Sequence, residues 1–209
     1  MSLLVAGILL GIGVPSVMEF QRNAAMTAAA NDLITAMLVA RTEAIKRQAP
    51  VTVCLSDNPT DVAPTCSPNS ILGSATRGYI VWVDENNNVD ADGARILTDA
   101  TDGNAAVDAG ELVLSQTAAP GASGSIRVSA NCGYVSYAPT GFTRQAPGLC
   151  FPTDQIVLLC DDRGPGVAAG SLASARVVRT GRSGRPQVLS EAPVVDPLIP
   201  AFNPGANCF

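Results

Sequence analysis

The sequence predicts an α+β protein: a long N-terminal α-helix laid on an antiparallel β-sheet head. Three observations carry that prediction. Residues 16–48 contain neither proline nor glycine and are rich in Ala, Leu, Met, Glu and Arg, all good helix formers. After Cys54, short β-branched and aromatic runs alternate with Gly, Pro, Asn and Asp, the pattern of short strands joined by turns. Apolar residues make up 47% of the 209 and charged residues only 15%, so there is enough material for a core and the chain as a whole is not disordered.

The helix begins in apolar sequence. Residues 1–18 carry no charge, and their core, residues 3–14, is short for a complete membrane span, which needs about 20 residues. The helical pattern then continues to residue 48. Phe20, Ala24, Thr27, Ala28, Asn31, Ile34, Leu38, Arg41 and Ile45 recur at spacings of three and four, which predicts the face that packs on the head. Pro15 is expected to bend the helix where its apolar and soluble parts meet. A helix over 3–48 is roughly 70 Å long, more than one head of this size buries, so the apolar end projects and needs a membrane or a helical partner to cover it. The expected division is an apolar membrane or filament segment at 1–22 and a head at 23–209. Within the head, 23–48 is amphipathic helix and 50–209 is β-rich.

Residues 78–84, 111–115, 125–129, 133–137, 155–160 and 175–179 read as strands of an antiparallel sheet. Between Asp84 and Glu111 lie eight acids and one base, Arg95, a local balance of −7 in a chain of net charge −5. Asp84-x-Asn86-x-Asn88-x-Asp90 resembles the start of a calcium loop, but Val89 stands where the turn glycine belongs and Arg95 where the closing glutamate belongs. A solvated loop with Asx turns is the favoured reading, with no metal and no cofactor expected. Tyr134 and Tyr137, in the run 133–142, are read as strand residues with one packed face in preference to platforms for stacked bases.

Six cysteines stand at 54, 66, 132, 150, 160 and 208, with no C-x-x-C pair. An even, widely spaced set favours disulfides in an oxidising compartment over a zinc or redox motif. Six cysteines allow 15 connectivities. Pairing of neighbours gives Cys54–Cys66, Cys132–Cys150 and Cys160–Cys208.

The sharpest local feature is Ser174-Ala-Arg-Val-Val-Arg-Thr-Gly-Arg-Ser-Gly-Arg-Pro186. From Arg163 to Ser190 there are five arginines and no acid. Arg176 and Arg179 fall on opposite faces of a strand. The Thr-Gly and Ser-Gly steps then end it, which puts Arg182 and Arg185 on an exposed, flexible loop. Planar guanidinium forks and bare backbone N–H groups suit the phosphate backbone of double-stranded DNA without reading its sequence. The competing expectation is a solvated loop whose arginines pair with the acidic 84–111 segment.

The apolar helix, Val14-Pro15-Ser16, Asn31-Asp-Leu, Ala40-Arg-Thr-Glu-Ala-Ile-Lys-Arg47 and Pro50-Val-Thr-Val-Cys54 together resemble the FimT/GspH family, the minor pilins of type IV pili and the pseudopilins of type II secretion. Leu159-Cys-Asp-Asp-Arg-Gly164, Ala175-Arg-Val-Val, Thr180-Gly-Arg182 and Cys208 are similar to that family's C-terminal signature. The resemblance implies a pilin-like fold, partners among other pilins through the N-terminal helix, an inner-membrane location with a periplasmic head, and assembly into a filament. In FimT-type members a Gly-Arg-x-Arg element binds DNA during uptake. Gly181 and Arg182 match its first two positions, while the second arginine is displaced to Arg185. The family's basic leader, cleavage-site glycine and Phe-Thr-Leu-Ile-Glu opening are not matched, so the first residue is expected to fall inside the mature helix. Processing and the helix-packing glutamate are carried to no residue here.

Catalysis is not expected. The chain has no histidine, which removes Ser-His-Asp and Cys-His chemistry and His-ligated metals. Asp161-Asp162 is the one acid pair of note, but adjacent strand residues point apart. A type IV pilus subunit that binds DNA is the leading expectation, a GspH-like secretion pseudopilin the alternative, and a calcium-dependent adhesin head or secreted enzyme the lesser ones.

Overall fold

The computed structural model describes residues 2–67, 77–85, 107–108, 110–121, 125–131, 133–144, 154–163 and 172–191; the side chains of 2–16, 172–173 and 191 are excepted. Among the described residues one helix, α1 (Ser2–Arg47), is followed by nine strands: β1 (Val51–Ser56), β2 (Gly78–Val83), β3 (Leu112–Thr117), β4 (Arg127–Ala130), β5 (Tyr134–Tyr137), β6 (Thr143–Arg144), β7 (Gln155–Cys160), β8 (Leu172–Thr180) and β9 (Pro186–Glu191). They form two sheets, ordered β3-β2-β1-β5-β6 and β4-β7-β8-β9. Every strand pair is antiparallel. The α+β architecture is therefore as expected, with the strands split between two sheets.

α1 runs on through Pro15 to Arg47. Among described side chains, residues 17–25 are all exposed, and burial starts at Met26. The face that packs on the sheets is Met26, Ala29, Ala30, Leu33, Met37, Ala40 and Ala44. This corrects the expected face. Phe20, Ala24, Thr27, Ala28, Asn31, Leu38 and Ile45 are exposed, and only Ile34 and Arg41 are partly covered. The reason is steric. Alanine lets the helix axis approach the sheets closely, and unbranched Met26 and Met37 fill the irregular gaps left between strands. Larger side chains at the four alanine positions would hold the helix off. Among described residues no helix is long and apolar enough to cross a membrane.

Both sheets turn one face to α1. Val51, Val53 and Leu55 of β1, Tyr79, Val81 and Val83 of β2, Val135 and Tyr137 of β5, Val157 and Leu159 of β7, and Val178 of β8 join the helix in one core. At about 1.5–3 kcal/mol per fully buried large side chain, this cluster is the main favourable term in folding. β1 lies between β2 and β5 and is buried along its whole length.

The reverse face of the first sheet is buried as well. Cys54, Ile80, Trp82 and Tyr134 pack there with Cys66, Val107 and Val113. The Cys54–Cys66 disulfide, with Cα atoms 5.6 Å apart, closes a segment that folds back onto this face. Ser67 N donates to Leu55 O at 2.8 Å, and Asn58 Oδ1 accepts from Thr65 N and Oγ1, both at 3.0 Å. Cys160 is also disulfide-bonded. Its expected partner Cys208 and the expected Cys132–Cys150 pair lie outside the described residues.

Beside that cluster sits a buried polar network. Thr52 Oγ1 donates to Asp84 Oδ2 at 2.9 Å and shares a 2.7 Å hydrogen bond with Ser136 Oγ. Arg144 donates Nε to Ser136 Oγ and an NH2 proton to Asp84 Oδ2, each at 2.9 Å. Asp84 is fully buried, so the first position of the calcium-like motif is a structural carboxylate held by Arg144. Residues 86–90 of that motif lie outside the described residues.

Two predictions follow from these contacts. Arg144→Met leaves the buried Asp84 carboxylate without its cation and is expected to cost about 3 kcal/mol in urea unfolding. At Asp57, burial alone would raise the pKa, but hydrogen bonds from Arg77 and Ser67 and the Arg77 charge outweigh it and hold the carboxyl below its usual value. A depressed carboxylate stabilises the fold above its unfolded pKa and loses that contribution as pH falls through the folded value. The parent should therefore lose stability below about pH 4 more steeply than Asp57→Asn in an acid melting series.

Candidate nucleic-acid interface

β8 and β9 are paired up to Thr180 and Pro186, so residues 181–185 form the tip of a hairpin. Gly184 N donates to Gly181 O at 2.9 Å and closes a turn with Arg182 and Ser183 at its centre. Gly184 takes φ +71, and a Cβ there would lie 2.3 Å from Gly141 O and 3.3 Å from the Tyr137 ring. Only glycine fits both the backbone conformation and the space.

The neighbour is the tip between β5 and β6. Gly141 N donates to Ala138 O at 2.8 Å, and Ala138 N to Phe142 O at 2.9 Å. Thr143 N then donates to Arg182 O at 3.2 Å, and Thr143 Oγ1 to Gly181 O at 3.4 Å. Beneath them α1 contributes Arg41, whose Nε donates to Gly141 O at 2.9 Å, and Ile45, whose side chain underlies Gly141. Buried Tyr137 backs the stack. Burial pushes its phenol well above the usual tyrosine range, against a smaller opposing pull from the Arg41 charge. The loop expected to be flexible is thus a short turn anchored through Gly141 to the helix. The glycines that suggested freedom serve close backbone approach.

The structure separates the four predicted arginines. Arg182 and Arg185 are exposed on the turn and, among described residues, meet no carboxylate. Gly181 lies between Thr180 and Arg182 with its carbonyl already engaged. Arg179 points to the face away from α1 and pairs with Asp154. Arg176 is 6% exposed, and its NH1 donates to Ala175 O at 3.0 Å. Burial lowers its pKa, as does the Arg163 charge, with Asp161 opposing. Four strand steps, roughly 13 Å, separate Arg176 from Thr180, where the turn that carries Arg182 begins.

Most other cations are engaged. Arg22 meets Asp162 at 3.3 Å, and Arg77 meets Asp57 at 2.8 Å. Arg47 meets Glu43, and Arg163 meets Asp161, both at 2.6 Å. Arg163 NH1 also donates to Asn23 Oδ1 at 2.8 Å, so Asp161 and Asp162 hold the head against α1 through separate arginines and are not arranged as an acid/base pair. Tyr134 and Tyr137 are buried and offer no ring face to a base. Phe142 is 57% exposed beside the arginine turn. Sequence reasoning singled out neither Phe142 nor Arg41 nor Asp154 for this site. Phe142 and Arg41 stood within quoted motifs, but no local signal placed Asp154 opposite Arg179.

A helix that packs one face of its C-terminal half on an antiparallel two-sheet head, with the preceding turns bare, is the architecture of a pilin-type subunit. A family model described as type II transport protein GspH matches residues 29–184, more than half of the chain, so the chain belongs to the GspH family. Crystal structures of the type IV minor pilin FimU from Pseudomonas aeruginosa strain PAO1 are similar at 15% sequence identity. The form in space group P21 has a TM-score of 0.42 and aligns over 83% of this chain and 94% of FimU. The form in space group P65 has a TM-score of 0.39 and aligns over 79% and 94%. No curated protein matches the chain.

Gly184→Ala forces a side chain into the Gly141 carbonyl at a left-handed backbone position. It is expected to destabilise the head by about 1–3 kcal/mol in urea unfolding.

Proposed function

We propose that this GspH-family chain is a minor pilin of a type IV pilus that takes hold of double-stranded DNA through its arginine turn. The observation that carries the DNA reading is the pair Arg182 and Arg185, exposed on a backbone-anchored turn in a protein whose other arginines mostly meet carboxylates. Guanidiniums carried on an ordered backbone leave only side-chain freedom to be lost on meeting phosphate, and they contact it without sequence readout. Arg179 stands at the base of the same turn and joins it. Arg176 is buried at a distance and acts in the fold.

Filament assembly rests on the part of α1 that the head leaves bare. Phe20, Leu38 and Val39 are exposed along the helix, an apolar surface that another pilin helix would cover. In this reading the segment 1–22 lies in the inner membrane before assembly and 23–209 is the periplasmic head. The disulfides suit that compartment.

A second reading, a pseudopilin of the type II secretion system, is favoured by the family model itself. The test is binding of a short DNA duplex by the full chain across a salt series, against Arg179/Arg182/Arg185→Ala. The pilin reading expects parent binding with a slope of log K on log salt of about −2 to −3, lost in the triple variant. Absence of parent binding at low salt favours the secretion pseudopilin.

A further inference from the structure

A carboxylate of the protein itself stands beside the arginine turn. Asp154 immediately precedes β7 and stands opposite the end of β8, where Gln155 is paired with Thr180. Its Oδ2 accepts from both Nε and NH2 of Arg179, the Nε contact at 2.8 Å. Its Oδ1 lies 3.3 Å from where a Cβ of Gly181 would stand. The carboxylate is therefore both the partner of Arg179 and a neighbour of Gly181.

Its placement is built and not incidental. Asn131 Nδ2 donates to Asp154 O at 3.0 Å, while Asn131 Oδ1 accepts from Ile156 N at 2.8 Å, so one amide clamps the backbone on both sides of Gln155. The Asp154 side chain is 26% exposed, so it remains within reach of ions that approach the turn.

We propose that Asp154 competes with an incoming phosphate for Arg179 at the arginine turn. This inference rests on the reading of that turn as a phosphate contact and names what sets its strength. Two effects act in the same direction. Arg179 must leave Asp154 before it meets a phosphate, and a phosphate arriving at Gly181 faces a like charge. The turn is thereby held to two fully available guanidiniums with a third in reserve, which gives weak, reversible capture of a polyanion in preference to tight retention.

The test is duplex DNA binding by the full chain carrying Asp154→Asn, across a salt series, with Arg179→Ala in both backgrounds. Asp162→Asn serves as control, since it changes net charge equally at the far end of the head. Removing the competitor should tighten binding about five- to ten-fold at low salt and steepen the salt slope by about one, because one more arginine neutralises a phosphate. Arg179→Ala should cost little in the parent and abolish most of the gain in Asp154→Asn, a coupling seen as non-additivity, with only the part due to the removed like charge remaining. Asp154→Ser, which also removes the charge, should give the same gain and guards against a fold defect peculiar to the amide.

A gain from Asp162→Asn as large as that from Asp154→Asn overturns the proposal, since net charge alone then explains it. Unchanged or weaker binding by both Asp154 variants, with Arg182→Ala and Arg185→Ala still losing affinity, overturns it and leaves the DNA reading intact. No binding by the parent or by either Asp154 variant at low salt overturns both. No binding by the parent but clear binding by Asp154→Asn supports the inference in its strongest form.

Discussion

The close approach of one small-residue face of α1 to two sheets is the constraint on which the rest depends. Ala29, Ala30, Ala40 and Ala44 allow that approach, and Met26, Leu33 and Met37 lock it by filling the space between strands. The two sheets share this helix as a common wall. β8 meets it through Val178 and through Thr180, whose Oγ1 lies 3.5 Å from Met37 Sδ. The tip between β5 and β6 meets it through Arg41 and Ile45. Because the arginine turn leans on that tip, its position is set by the helix and not by local sequence.

The same packing decides what remains outside. With the alanines turned inward, Phe20, Leu38 and Val39 are left exposed. These exposed apolar side chains add nothing to the stability of the head, which draws on Met26, Leu33, Met37 and the alanines of the packed face.

Legibility in the sequence followed this packing. β2 and β7 were plain, because Gly-Tyr-Ile-Val-Trp-Val and Gln-Ile-Val-Leu-Leu-Cys are dense in β-formers. β9 was not read as a strand, since it opens with Pro186, which a strand tolerates only at an edge or first position. The buried helix face was misread because Phe, Ile and Leu outweigh alanine in any hydrophobic pattern, while close packing rewards alanine. The arginines were legible as a cluster. Their separation into a buried Arg176, a paired Arg179 and an exposed Arg182 and Arg185 was not, because strand register and the Asp154 contact are tertiary facts. The cysteine reading was legible where neighbours in sequence close a short loop, as Cys54 and Cys66 do.

The orientation of α1 is the claim from which the arginine turn and the outward face both derive, and the protein's own methionines report it. Met18 lies on the bare part of the helix, while Met26 and Met37 lie on the packed face. Peroxide footprinting of the purified native chain, read residue by residue by mass spectrometry, tests it directly. The account predicts rapid sulfoxide formation at Met18 with Met26 and Met37 protected until the head unfolds. Oxidation of Met26 and Met37 as fast as Met18 under native conditions would contradict it.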